Sequence, residues 1–118
     1  MITDPPVRRG DVWLVDFGVD PEDPEQAFRR PAVVVSDDRM HHPSLSMVIV
    51  VPGTSTIRPV PLHVVVGPDD DTGLRERTAL QPEQVRAVSV RRLIDRLGSL
   101  GAEDRHALDE ILRNVLRL

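Results

Sequence analysis

The run Ala32-Val33-Val34-Val35 constrains this chain more than any other segment. It holds four consecutive apolar residues, three of them β-branched. Such a run suits an extended strand, and with no polar residue to turn toward water the strand is buried on both faces. Arg29-Arg30-Pro31 stands at its mouth. Pro31 removes one ladder donor and biases Arg30 toward extended geometry. A guanidinium is thereby held at the edge of a core strand, where its five fixed donors can grip a phosphate. The alternative is a surface arginine paired with Glu25 or a neighbouring aspartate.

At 118 residues the chain fits one domain large enough to bury a core. Its residues are 40% apolar and 29% charged, as in an ordinary globular protein. There is no cysteine, which excludes disulfide and thiolate–metal frameworks. Nowhere do 18 apolar residues run together, so no membrane-spanning helix is expected. The opening Met1-Ile2-Thr3-Asp4-Pro5-Pro6 lacks the apolar stretch of an export signal, and the expected location is the cytoplasm.

The net charge of −4 speaks mildly against a simple nucleic-acid binder. All 15 basic residues are arginine, either for bidentate phosphate binding or through arginine-rich codon usage. The acids gather in residues 20–25, 37–38 and 69–71, expected as solvated loop tips.

Residues 1–7 read as a disordered lead-in and residues 8–118 as the domain. Alternation marks Asp11–Phe17 as the first strand, with Trp13, Val15 and Phe17 on one face and Val12 and Leu14 on the other. An acidic loop, Gly18–Phe28, leads to a second strand at Pro31–Ser36. Met47–Val51 follows, closed by Pro52-Gly53. Further strands are expected at Leu62–Val66 and Leu93–Leu97, with Thr78–Gln81 and Val85–Ser89 either two short strands or one strand bent around Pro82. At the end, Ala107, Leu108, Ile111, Leu112, Val115 and Leu116 recur at helical spacing. Acids Glu103 and Asp104 fall in its first turn and Arg113 and Arg117 near its end, as the helix dipole favours. A single helix after several short strands predicts a mainly β fold, a small curved barrel with the helix packed on it.

Thr54, beside Gly53, either binds a phosphate oxygen or makes a local backbone bond. Phe28, just before Arg29, is either a stacking platform for a base or a packing residue. His41 and His42 are adjacent and point apart on an extended chain, so no metal site is expected from them. His63 either faces a groove or is a satisfied strand histidine.

Taken in order, Arg9-Gly10-Asp11-Val12-Trp13-Leu14-Val15-Asp16-Phe17, Arg30-Pro31 and Val50-Val51-Pro52-Gly53-Thr54-Ser55 resemble the MazF/PemK family of toxin endoribonucleases. The resemblance runs from Arg9 to the C-terminal helix. It implies an SH3-like barrel working as a homodimer. It also implies metal-independent, sequence-selective cleavage of single-stranded RNA, with no cofactor, and a cognate antitoxin whose acidic, disordered tail fills the RNA groove. Arg30 falls on the family's catalytic arginine, and Thr54 on the threonine or serine opposite it. Glu25-Gln26 align with the family's loop pair, although Asp23-Pro24 replace the usual Gly-Ser. Glu25 would orient Arg30 or accept a proton; Gln26, Phe28, Arg29 and Ser55 would contact RNA. Gly53 replaces a residue that is usually larger, which would loosen the Thr54 turn. Glu83-Gln84-Val85-Arg86 match a family segment, and Glu83, Gln84 and Arg86 either read base edges or serve as strand-end hydrogen-bonding groups. The acidic loop Gly18–Phe28 would act as a gate.

CcdB-type toxins, which bind gyrase and cut nothing, share the barrel. They end in Trp-Gly-Ile, whereas this chain ends Val115-Leu116-Arg117-Leu118 and keeps Arg30 and Thr54. A catalytically degenerate RNA-binding homologue is the third reading.

Overall fold

The computed structural model of the chain describes residues 6–18 and 29–118. Seven strands and one helix make up the framework: β1 (Asp11–Asp16), β2 (Arg29–Val34), β3 (Met47–Thr54), β4 (Val64–Val66), β5 (Thr78–Leu80), β6 (Arg86–Ser89), β7 (Leu93–Ser99) and α1 (Ala102–Leu116). All pairings are antiparallel, in the order β4-β5-β3-β2-β1-β7, with β6 also beside β3. Short 3₁₀ turns occupy Asp38–Met40, Pro82–Gln84 and Val90–Arg92.

β3 organises the curvature. Its first half, Met47–Val50, pairs with β6, and its end, Gly53-Thr54, pairs with β5. One edge of one strand thus carries two partners, and the sheet folds over on itself. The strand was expected to end before Pro52-Gly53 but runs through them to Thr54. Pro52 keeps its acceptor: the Gln81 N–H donates to its carbonyl, 2.9 Å. Only the reciprocal donor is missing, at the junction where β3 changes partner.

Alternation then sorts the side chains into two cores. Val12, Val33, Val51, Val64, Val66 and Leu80 meet Leu108 and Leu112 of α1 on one face. Trp13, Val15, Ala32, Val34, Val48, Val50 and Val88 pack on the other. Val7, assigned by sequence to the lead-in, is buried in this second core. Its carbonyl is bound by the buried His41 ring, Nδ1 to O 2.9 Å.

The far ends of the strand order are drawn together by a turn. The acidic segment 69–71 is not a free tip: the Ser99 N–H of β7 donates to the Asp71 carbonyl, 2.8 Å. Gly98 makes this approach possible, since a Cβ there would lie 2.1 Å from the Asp71 oxygen. Asp37 caps the 38–40 turn, and the Arg39 guanidinium and N–H hold its carboxyl down to about 2. No described helix is long and apolar enough to cross a membrane.

Asp11 locks the entry to β1. Its buried carboxylate accepts the Arg8 N–H (2.9 Å), the Trp13 indole N–H (3.4 Å) and the Arg96 guanidinium (3.2 Å). Removing it strands three donors around a buried position. Asp11→Ala is therefore expected to cost about 3 kcal/mol in urea unfolding, on the scale of breaking a buried pair. Arg96→Ala, at the more exposed partner, should cost clearly less.

Candidate functional site

On the face shared by Val12, Val33 and Val51 the covering layer stops short. One residue further toward the mouth of β2 that face carries Leu14, Pro31 and Gly53. These three residues border a depression. It is an open cleft of about 670 Å³.

Two strand ends bring polar groups to it. Arg29 and Arg30 come from the start of β2, and Thr54 and Ser55 from the end of β3. Arg30 is half-buried and Arg29 exposed. The Thr54 hydroxyl accepts the Thr56 N–H, 3.1 Å, so the local bond expected of a turn threonine is present. Its own proton remains to be donated. The lining is completed by Leu74, Arg75, Glu76, Thr78 and Leu97. Three arginines and one glutamate line the cleft, a locally positive patch on a chain of net charge −4. Such a patch suits a polyanion better than the net charge suggests.

The Pro52-Gly53-Thr54 geometry differs from a loosened turn. Gly53 lies inside β3, paired with Leu80. A Cβ at Gly53 would stand 2.5 Å from the Thr78 methyl and 3.4 Å from the Pro31 carbonyl oxygen. Buried Thr78 takes the space that a larger residue at position 53 would need.

A family model described as "PemK-like, MazF-like toxin of type II toxin-antitoxin system" matches residues 8–116. This chain belongs to the PemK/MazF toxin family. It is 37% identical over 117 residues to endoribonuclease MazF9 of Mycobacterium tuberculosis, a match spanning 95% of this chain and 98% of the relative. A probable endoribonuclease of the same organism, MazF5, is 37% identical over 92 residues, 78% of this chain and 76% of the relative. Among solved structures, MazF of Deinococcus radiodurans superposes with a TM-score of 0.77 at 21% identity, covering 95% and 97% of the two chains. A mycobacterial endoribonuclease in complex with its cognate antitoxin gives 0.74 at 24% identity, covering 95% and 96%. The chain is thus a toxin endoribonuclease of the MazF type, and the likeness in structure extends over the whole barrel.

Not every residue singled out in this toxin's sequence reaches the cleft. Arg29, Arg30, Thr54 and Ser55 converge there; Glu83, Gln84 and Arg86 do not line it. Glu83, in the 82–84 turn, holds the buried His63 ring, Oε2 to Nε2 2.7 Å. The Arg86 guanidinium stacks over Phe17, 5.4 Å from the ring centre, a cation–π contact within the barrel. Glu25, Gln26, Phe28 and the acidic loop beyond Gly18 lie outside the described residues. His41 and His42 part company: His41 bonds Ser36 (2.6 Å) and Val7, while His42 bonds Ser44 (2.8 Å).

Arg75 and Glu76 were not legible as site residues. A short run of charge, Arg75-Glu76-Arg77, reads as an ordinary solvated stretch, and only the turn docked on β7 brings it to the cleft.

The Gly53–Thr78 contact is open to a direct check. Gly53→Ala should destabilise the fold by about 1–3 kcal/mol, as overpacking does. Adding Thr78→Ser, which deletes the methyl in the way, should recover most of that loss in thermal unfolding.

Proposed function

We propose that this toxin cuts single-stranded RNA by attack of a ribose 2′-hydroxyl on its own 3′-phosphate. The 2′-oxygen bonds to phosphorus, the 5′-oxygen of the next nucleotide leaves, and the ends are a 2′,3′-cyclic phosphate and a 5′-hydroxyl. The observation that carries the reading is the convergence of Arg29-Arg30 and Thr54-Ser55, from two separate strands, on one cleft.

Each group has a task set by its chemistry. The reaction needs an aligned ribose, a proton acceptor for the 2′-hydroxyl, a proton donor for the 5′-oxygen, and positive charge on the phosphorane oxygens. Arg30 supplies the charge through a planar fork fitted to two phosphate oxygens. It is a poor base, with a pKa above about 12. The Thr54 hydroxyl donates a hydrogen bond to one of these phosphate oxygens. Glu25 orients Arg30 or takes the 2′ proton, and Gln26, Phe28, Arg29, Ser55, Glu83, Gln84 and Arg86 engage the strand on either side. The protein works as a homodimer in the cytoplasm, with the groove continuous across the two copies and blocked by the acidic tail of a cognate antitoxin.

A non-enzymatic gyrase binder would share the barrel, but it has no use for an arginine and a hydroxyl brought to one cleft. Arg30→Ala should lower the cleavage rate at least ~10²-fold, the scale of removing one preorganised donor, with the melting temperature unchanged. Arg30→Lys should restore little, since an ammonium lacks the fork. Near wild-type turnover in a folded Arg30→Ala protein would remove Arg30 from the centre.

An internal nucleophile requires no metal-activated water. Cleavage should persist in excess EDTA, and a substrate with a 2′-deoxy sugar at the scissile nucleotide should resist. Loss on chelation with recovery in magnesium, or cutting of the deoxy substrate, contradicts the mechanism.

A further inference from the structure

The cleft that holds Arg30 and Thr54 also carries an unusual group for an RNA site. Glu76 lines the cleft beside Arg75, and neither the Glu76 carboxylate nor the Arg75 guanidinium makes a hydrogen bond or ion pair with any described residue. An unpaired carboxylate raises the electrostatic cost of bringing in a phosphate backbone. It is favourable only where it meets donors, and RNA offers these on its ribose 2′-hydroxyls and on its bases, of which only the bases differ from one nucleotide to the next.

The wall is also built to hold its place. The Thr78 hydroxyl donates to the Glu76 carbonyl, 3.0 Å, which fixes the bend at Glu76 next to β5. On the other side the 69–74 turn closes on itself through Gly73 N–H to the Asp69 carbonyl (2.9 Å) and Leu74 N–H to the Thr72 hydroxyl (3.2 Å). The same turn is tied to β7 by the Ser99–Asp71 bond at the close approach over Gly98. A short segment between two anchored points fixes where the backbone of Arg75 and Glu76 runs along the cleft, and both side chains are exposed to whatever enters it.

We propose that Glu76 is a specificity-determining residue of the RNA cleft. Its carboxylate reads the Watson–Crick edge of one unpaired base next to the scissile phosphate, while Arg75 holds a phosphate of the same strand. The base is guanine: its N1–H and N2–H₂ offer two adjacent donors to two carboxylate oxygens. Cytosine and adenine each offer an exocyclic amine beside an acceptor, and uracil one N–H between two carbonyls. This assignment rests on the reading of the cleft as an RNA-cleaving site.

The test is a comparison of cleavage profiles. Wild type, Glu76→Gln and Glu76→Ala proteins are incubated with a random-sequence RNA pool, and the 5′ ends of the fragments are sequenced; melting temperatures are measured alongside. Wild type should require guanine at one position near the cut. Glu76→Gln, which replaces one acceptor by a donor, should weaken that preference about tenfold, the scale of one bidentate base contact, and shift it toward adenine and cytosine, which pair an amine with an acceptor. Cleavage at other positions of the word and the melting temperature should stay as in wild type. An unchanged profile overturns the proposal. So does an equal loss at every sequence, which would make Glu76 a proton acceptor instead of a reader. A wild-type protein that cuts no RNA overturns both this inference and the function beneath it, whereas cutting without a guanine preference, or variants that keep the wild-type profile, overturn the inference alone.

Discussion

Burial of the central strands on both faces is the constraint from which the rest of the structure follows. Val12, Val33 and Val51 face the helix side, and Trp13, Val15, Ala32, Val34, Val48 and Val50 face the other core. A strand with both faces covered has no surface for chemistry along its length. Only its ends are free, and the function collects there. Arg29-Arg30 enter β2 at the same end of the sheet at which Thr54-Ser55 leave β3, because neighbouring antiparallel strands place the beginning of one beside the end of the other.

The cleft at that end lies where valines give way to Leu14, Pro31 and Gly53 along one face, and no residue of α1 lines it. Gly53 makes room for Thr78, and the Thr78 hydroxyl in turn donates to the carbonyl of Glu76. One small residue in β3 is thereby linked through β5 to the segment that carries Arg75 and Glu76. The change of partner along β3, from β6 to β5, makes the link possible, since it brings β5 alongside the cleft.

The electrostatics follow the same division. The chain as a whole is acidic, yet the described residues of the cleft include three arginines and one glutamate. For an enzyme that handles an anion, the local field at the site governs capture more than the total charge does. An acidic exterior also restricts binding to strands that fit the cleft and discourages loose association with nucleic acid elsewhere on the surface.

Much of this protein was determined by sequence alone. The alternation of Asp11–Phe17, the apolar run after Pro31 and the helical spacing from Ala107 to Leu116 are local patterns, and each folded as its period requires. The ordered motifs around Arg30 and Thr54 were likewise legible, because family likeness resides in short stretches of chain. Three things were decided only in three dimensions. Pro52 and Gly53 carried a stop signal, but the strand continued because Gln81 supplies a donor from far along the chain. Val7 carried no signal and was captured by His41 and the second core. Arg75 and Glu76 became part of the cleft only because Gly98 let the turn before them dock on β7. A local pattern reports which face a residue prefers; contacts between segments this distant depend on which strand edge each one finds, and that is settled by the packing of the whole sheet.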